Sequence, residues 1–226
     1  MFFQENAVNN RANSGPLEVV ALADKNTPIQ EINDVLNELP RHTIATASWP
    51  EYSYRPEVQF SIAHDNKHLL IKYYVQEQHL QAFYRRANEP VYKDSCVECF
   101  IAWDDKGYYN FEFNSLGTCL AAFGPNRANR KSLDTSTIAK IQRLSAIHSV
   151  FTGNPDEPIS WTMTIKIPLE VFYAHDLRNL SQKKATANFY KCGDALPQSH
   201  YLSWQKINTP APDFHRPEFF GEISFV

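Results

Sequence analysis

The sequence predicts an all-β protein: an antiparallel β-sandwich with one short accessory helix near its N-terminal end. Hydrophobic and polar residues alternate over most of the chain, as in strands that bury one face. Phe, Tyr and Trp make up 13% of the residues, which favours strands over a helical bundle. Turn-forming segments separate roughly ten short strand-like runs. Together these features predict a sandwich, with a barrel as the alternative.

The first predicted element is an amphipathic helix over residues 28–39, "PIQEINDVLNEL". Its apolar residues lie at helical spacing, and Thr27 before Pro28 could cap its first turn. The period then changes to two. The segment "EVQFSIAHDNKHLLIKYYVQE" predicts a hairpin that turns at "HDNK".

The remaining elements are strands, apart from one helical turn in "IPLEVF". "CVECFIAWDDKGYYNFEFNSLGTCLAAFG" predicts three strands with turns at "DDKG" and "NSLG". "SAIHSVF" and "SWTMTIKIP" predict a pair. The last strands are "ATANFYKCG", "YLSW" and "FFGEISFV".

Size and composition set the class of protein. We divide the 226 residues into an N-terminal extension, residues 1–15, and one domain, residues 16–226, which is large enough to bury a full core. A net charge of −3 without a basic stripe argues against a nucleic-acid partner. No apolar run is long enough to predict a membrane span, and "MFFQENAVNN" lacks the apolar core of a signal peptide. The oligomeric state is not predicted.

Four cysteines raise the question of metal or redox chemistry. In a strand, Cys96 and Cys99 point to opposite faces, so they can share neither one metal ion nor a disulfide. Cys119 and Cys192 stand far apart in sequence and supply no second close ligand pair. We therefore expect four free thiols, packed as small apolar groups, and no zinc.

The acid between two of these cysteines, Glu98, has a polar counterpart on the next strand. There Glu112 and Asn114 share one face, and pairing through "DDKG" would bring Glu98 beside them. Two interpretations fit this row. It is either the solvent-exposed face of an outer strand or a polar sheet face that recognises a ligand.

A family resemblance favours the second interpretation. "WPEYSYRPEVQFSIAHDNKHLLIKYYVQE", "PVYKDSCVECFIAW", "YYNFEFNSLG", "NFYKCGD" and "SWQKINTPAPDFHRPEFFGEISF" follow one another in an order and spacing similar to family 9 carbohydrate-binding modules, especially the family-9-like domains of bacteria. The resemblance covers the chain from about Trp49 to Val226. It implies a DOMON-like antiparallel sandwich that binds sugar without catalysis.

The resemblance also implies a binding site. In sugar-binding members two aromatic rings hold a terminal sugar, and an acid with amide or basic groups binds its hydroxyls. The acid corresponds to Glu98, the first ring to Tyr92, and the second to Phe214 or its neighbour His215. Those members carry tryptophan at both ring positions, and a basic residue where this chain has Glu112.

The residue types suit sugar chemistry. Sugar C–H faces stack on aromatic rings, and a carboxylate accepts from two hydroxyls. Two interpretations of the loop "DFHRPEFFG" remain open: it is either a connection stiffened by prolines or a set of sugar contacts. The predicted carbohydrate site comprises Tyr92, Glu98, Glu112, Asn114, Trp204, Phe214, His215 and Arg216.

These features predict non-catalytic binding of an oligosaccharide or polysaccharide in polysaccharide degradation. One alternative is a sandwich that has lost the sugar clamp and serves protein interaction or structure. A third is a glycoside hydrolase with Glu98 and Glu112 as its acid pair. No cofactor is predicted, although the resemblance allows structural calcium, for which no ligand set is identifiable. Localisation stays open, since the family context suggests secretion or the periplasm and free cysteines allow the cytoplasm.

Overall fold

A computed structural model describes residues 15–23, 27–149 and 157–226. In this part of the chain thirteen strands form one continuous, curled sheet. The strands are β1 (Leu17–Ala21), β2 (His42–Thr43), β3 (Glu57–His64), β4 (His68–Glu77), β5 (Cys96–Asp104), β6 (Gly107–Asn114), β7 (Cys119–Gly124), β8 (Lys131–Ser132), β9 (Gln142–Ile147), β10 (Ile159–Pro168), β11 (Lys184–Cys192), β12 (Tyr201–Ser203) and β13 (Gly221–Phe225). The helices are α1 (Ile29–Asn37) and α2 (Thr135–Ile138), with 3-10 turns at Val91–Lys93, Leu169–Val171 and Pro217–Phe219.

The strand order is β8-β7-β6-β5-β11-β13-β1-β3-β4-β10-β9, with β12 beside β11 and β2 beside β3. β1 joins the two halves of the sheet. Its residues Leu17 to Val19 pair with β13, and Val20 and Ala21 pair with β3, both in parallel. The other strand pairs are antiparallel. The halves then pack face to face, and the rings of Phe60 and Phe189 stack across them at 3.9 Å.

The β-rich sandwich, the β3–β4 hairpin, the β5–β6–β7 meander and the β9–β10 pair confirm the sequence prediction. One feature differs from the predicted antiparallel sandwich, since β1 is parallel to both of its neighbours. The strand count was low because β1, β2 and β8 are short and carry little alternation. The predicted N-terminal extension lies, apart from Gly15, outside the described residues.

Helix α1 confirms the predicted position and covers the outside of the β3–β4 half. Ile32 and Leu36 are buried against Ala63 and Leu70. Thr27 does not cap the helix, since Pro28 occupies the N-cap position and no side chain bonds there. No helix in the described ranges is long and apolar enough to cross a membrane.

The β5–β6–β11 half has two buried faces. Its inner face, which includes Val97, Cys99 and Phe111, joins the main core between the two halves. We use "outer face" for the opposite side of these three strands, whose side chains alternate with the inner ones. It forms a second, smaller core under Trp49, Tyr92 and Phe214 and neighbouring loops. The outer-face residues are Cys96, Glu98, Phe100, Tyr108, Asn110, Glu112, Asn114, Asn188, Tyr190 and Cys192.

Loops therefore cover the polar row that includes Glu98 and Glu112. Each of these two residues is only 2% exposed. The interpretation of a solvent-exposed strand face was wrong, because alternation shows which residues share a face but not what covers it.

Candidate functional site

A cavity of about 100 Å³ lies between the outer face and the loops above it. Five of the eight predicted site residues line this cavity: Tyr92, Glu98, Glu112, Phe214 and His215. A larger groove of about 310 Å³ lies elsewhere, beside Trp103 and Glu222, and none of the predicted residues lines it. The smaller cavity is therefore the candidate functional site.

Two carboxyl groups form the floor of the cavity. Glu98 on β5 is the direct partner of Glu112 on β6. The Asn110 side-chain amide donates to Oε1 of Glu112 at 3.0 Å. Oε2 of Glu112 and Oδ1 of Asn110 have no hydrogen-bond partner among the described residues. Buried acceptors are nearly always bonded, and Glu112 lines the cavity, so its unpaired oxygen points to a ligand or to water there.

The environment of the two carboxyls makes ionisation costly. Burial, followed by the charge of Glu112, raises the pKa of Glu98 well above its usual value. Burial also raises the pKa of Glu112 to about 7, against the opposing effect of Arg130. The pair therefore carries fewer than two negative charges near neutral pH, and one protonated carboxyl can donate as well as accept.

Arg130 supplies the facing positive charge. Its Nη1 lies 3.9 Å from Oε1 of Glu112 and 2.7 Å from Nε2 of His215. Burial and the neighbouring arginines lower the pKa of His215 to about 3, so the imidazole is neutral. Its Nδ1 lies 2.9 Å from the Tyr108 hydroxyl. A neutral imidazole can accept from Arg130 through Nε2 and donate to Tyr108 through Nδ1.

Three aromatic rings border the cavity. Phe214 is 8% exposed, and its ring stacks on Tyr190 at 4.2 Å with an interplanar angle of 10°. That contact leaves little of the Phe214 ring for a ligand. Tyr92 and Tyr201 are only half-buried, and the Tyr201 ring packs edge-on against the rings of Tyr52, Phe214 and Trp49, at 4.7, 6.0 and 6.1 Å.

The turn after β11 closes another side of the cavity. The Asp194 amide donates to the carbonyl of Tyr92 at 3.1 Å, which holds this turn against the 3-10 turn before β5. Burial raises the pKa of Asp194 to about 6. Sequence reasoning missed this residue, and it also missed Arg127, Arg130 and Tyr201, which line the same cavity. Asp213, which lines it too, lies in the loop weighed for sugar contacts but was not among the predicted site residues.

Three predicted site residues lie outside the cavity lining. Asn114 is on the outer face, but its amide donates to the Tyr84 carbonyl and to Asp94, and its oxygen accepts from the amides of Leu116 and Thr118. These bonds occupy the side chain in closing the turn after β6.

Trp204 and Arg216 face other surroundings. The Trp204 ring packs edge-on against Phe60 and Phe189 in the main core, at 6.1 and 5.7 Å. Arg216 bonds the exposed carboxylate of Glu218 at 2.6 and 2.8 Å. The prediction that all eight residues meet in one place was therefore wrong for Asn114, Trp204 and Arg216.

The cysteines divide between the two faces. All four are free and buried, and Cys96 and Cys99 lie on opposite faces as predicted. Treating Cys192 as isolated was wrong, because β5–β11 pairing places it directly opposite Cys96. Within the described ranges, one group of side chains has metal-binding spacing: Cys96, Glu98 and Cys192, with donor atoms within 4.8 Å of one another. Two sulfur donors do not suit calcium, which binds oxygen.

Comparisons with known proteins give the family and the fold of the chain. The model of carbohydrate-binding family 9 matches residues 30–225. A candidate carbohydrate-binding protein of Bacteroides uniformis is similar in structure, with 33% identity and a TM-score of 0.85, over 93% of this chain and 99% of that one. No curated protein matches the chain.

Two more distant structures share the fold. A family 9 carbohydrate-binding module of Caldicellulosiruptor kristjanssonii in complex with cellotriose has 14% identity and a TM-score of 0.62, covering 93% of both chains. A family 9 module from the same organism in complex with glucose has 14% identity and a TM-score of 0.56, covering 92% of this chain and 95% of the other. The family model spans most of the chain, and the chain belongs to carbohydrate-binding family 9.

Proposed function

We propose that the outer-face cavity binds one terminal sugar residue of an oligosaccharide or polysaccharide, without cleaving it, and that this binding serves polysaccharide breakdown. The observation that carries the proposal is the unpaired buried oxygen of Glu112 at the floor of an open cavity in a family 9 fold. Sugar hydroxyls are donors that would satisfy it.

The other walls supply the remaining contacts. Tyr92 and Tyr201 offer partly exposed rings for the C–H face of a sugar. Arg127 and Arg130 offer donors for ring and hydroxyl oxygens. A cavity of about 100 Å³ is smaller than the usual pocket for a drug-sized ligand, which favours one sugar unit over a long stretch of chain.

The positions of the two acids argue against glycoside hydrolysis. Glycosidases place their carboxyls on either side of the scissile bond. Glu98 and Glu112 instead lie side by side on one sheet face, as partners in neighbouring strands. Both also have a raised pKa because of burial, which leaves neither as a fully ionised nucleophile at neutral pH.

A glycan array followed by calorimetry tests the proposal. We expect saccharide binding with a stoichiometry of about one and no release of reducing sugar. Tyr92→Ala should weaken binding by roughly 1–3 kcal/mol, or about 5- to 150-fold, because a stacking ring is lost. Tyr173→Ala is the matched control, since this tyrosine is 58% exposed and does not line the cavity.

Three outcomes would contradict the proposal. A lack of binding to every plant and host glycan on the array would favour a sandwich that serves protein interaction or structure. Release of reducing sugar would establish a hydrolase. Equal losses of affinity in the Tyr92 and Tyr173 variants would place the site elsewhere.

A further inference from the structure

Two thiols and a carboxyl group lie close together beneath the outer-face cavity. Cys96 on β5 and Cys192 on β11 are direct partners in the strand register, and Glu98 follows two residues along on the same face. Side chains directly opposite each other in an antiparallel pair have Cβ atoms about 4.5–5.5 Å apart. The sheet therefore places all three side chains on one face as near neighbours.

The donor atoms already lie near metal-ligand spacing. Sγ of Cys192 is 3.0 Å from Oε1 of Glu98, Sγ of Cys96 is 3.9 Å from the same oxygen, and all three atoms lie within 4.8 Å of one another. Tetrahedral zinc, with bonds of about 2.3 Å to sulfur and 2.0–2.2 Å to oxygen, keeps its ligand atoms roughly 3.4–3.8 Å apart. Small side-chain rotations would reach that geometry without moving the strands.

From this geometry we infer that Cys96, Cys192 and Glu98 form a binding site for a thiophilic divalent cation, with Zn²⁺ as the best match. Two sulfur donors select zinc-like ions over magnesium and calcium, which prefer oxygen. Three protein ligands leave a fourth position open for water or a ligand hydroxyl.

The surroundings give the ion a route and partial charge compensation. Cys192 and Glu98 line the cavity, so the open position would face it. Burial raises the pKa of the Cys96 thiol to about 12 and that of the Glu98 carboxyl well above its usual value, so the ion would have to displace their protons. Arg130 opposes this effect at Glu98, and Lys191, which also pairs with Glu77, opposes it at Cys96, so the two cations would offset part of the net negative charge of two thiolates and one carboxylate around a divalent ion.

The other two cysteines are examples of thiols that only pack in the apolar core. Cys99 and Cys119 lie in the main core among apolar side chains, and neither lines the cavity. They provide internal controls of the same residue type.

Metal retention by the reduced full chain tests the inference. The protein is incubated with ZnCl₂ under a phosphine reductant and desalted, and its metal is counted by atomic emission. We expect about one Zn²⁺ per chain in the wild type and in Cys99→Ser. The Cys96→Ser and Cys192→Ser variants should fall to background, and Glu98→Gln should weaken Zn²⁺ binding at least about tenfold, since even outer-shell changes cost 10- to 100-fold.

A Co²⁺ titration of the wild type needs no variant to fold. Tetrahedral thiolate coordination predicts an intense sulfur-to-cobalt charge-transfer band with visible ligand-field bands, both removed by added Zn²⁺. A folded wild type that retains no zinc and shows no such band would overturn the inference, as would equal loss of zinc in Cys99→Ser. No saccharide is present in either assay, so their failure would leave the proposed sugar binding to its own test.

Discussion

The inner and outer faces of the β5–β6–β11 sheet are buried to the same extent but differ in chemistry. On the inner face Cys99 is 1% and Phe111 is 0% exposed, and on the outer face Glu98 and Glu112 are each 2% exposed. The inner face meets another sheet, whereas loops and turns cover the outer one. Loops cover a sheet less evenly than a second sheet does, and a cavity remains beneath them.

The ionisable groups differ in the same way. On the inner side Lys191 pairs with Glu77 at 2.8 Å, and its ammonium also contacts Nε2 of His200 at 2.8 Å. Oε2 of Glu77 makes that 2.8 Å ion pair but no hydrogen bond, whereas on the outer face Oε2 of Glu112 has no hydrogen-bond partner among the described residues and Arg130 lies 3.9 Å from Oε1. A buried charge with a close ionic partner indicates structure, and one without it indicates a place for a ligand. Burial alone does not separate a core from a site.

The largest expected effect is the loss of an inner-face ring. Phe111→Ala removes a fully buried side chain that packs against Tyr109 and Phe172, at 6.0 and 5.7 Å. Such cavities cost about 3–5 kcal/mol, so urea unfolding should show a loss of this size. Saccharide affinity of the folded fraction should not change. A loss of unfolding free energy below about 1 kcal/mol would mean that the inner face does not contribute more to stability than the outer face.

An outer-face acid should show the opposite pattern. Glu112→Gln keeps the side-chain shape but removes a buried ionisable group, so the free energy of unfolding should change by less than about 1 kcal/mol. Saccharide binding should weaken by roughly 1–3 kcal/mol, because charge-assisted hydrogen bonds are lost. Calorimetry and urea unfolding measure the two quantities. Glu170→Gln is the control at an exposed carboxyl.

A loss of stability without a loss of affinity in Glu112→Gln would assign this residue to the core.

The matched network on the inner side predicts a pH dependence of stability. Burial, with Lys191 and Arg55 nearby, lowers the pKa of His200 from 6.5 to about 3. Between these values the unfolded chain binds the proton and the folded chain does not. His200 therefore contributes stability that is fully present above pH 6.5 and is lost as the pH falls toward 3.

The measurement compares the wild type with His200→Gln, whose amide oxygen can still accept from Lys191. Buried acids with a raised pKa act in the opposite sense and are common to both proteins, so they cancel in the difference. We expect the stability advantage of the wild type to shrink by on the order of 1–3 kcal/mol between about pH 7.5 and 4.5. A stability difference that stays constant with pH would mean that His200 takes up a proton in the folded chain at the same pH as in the unfolded chain.

The smallest effect is expected at Arg216. Its partner is the exposed Glu218, and exposed ion pairs contribute about 0–1 kcal/mol. Arg216→Ala should leave saccharide affinity within twofold of the wild type and change stability by less than about 1 kcal/mol. A large loss of affinity would mean that the binding site extends beyond the cavity and includes Arg216, as the sequence predicted.

Alternation along the strands predicted most of the fold, because an antiparallel hairpin is a local structure. β1 was missed because its parallel partners, β13 and β3, are distant in sequence and its five residues show little alternation. Alternation could have placed Trp204 correctly. Leu202 is a core residue, and Trp204 two positions later shares its side of the chain.

The site was only partly predictable for a related reason. Glu98 and Glu112 lie on strands, where alternation fixes their face, and the family resemblance pointed to Tyr92, Phe214 and His215. Arg127 and Arg130 lie in the loop between β7 and β8, "PNRANR", which has no periodicity. No local pattern indicates where such a loop folds back, so only the tertiary structure brings Arg130 to Glu112.

The most direct test of the central claim is a crystal structure of the protein soaked with the saccharide that binds most tightly on the array. We expect one sugar ring in the outer-face cavity, stacked on Tyr92 or Tyr201, with a hydroxyl within hydrogen-bond distance of Oε2 of Glu112. Density for the saccharide in the groove beside Trp103 or on another surface, with the outer-face cavity free of sugar, would contradict it.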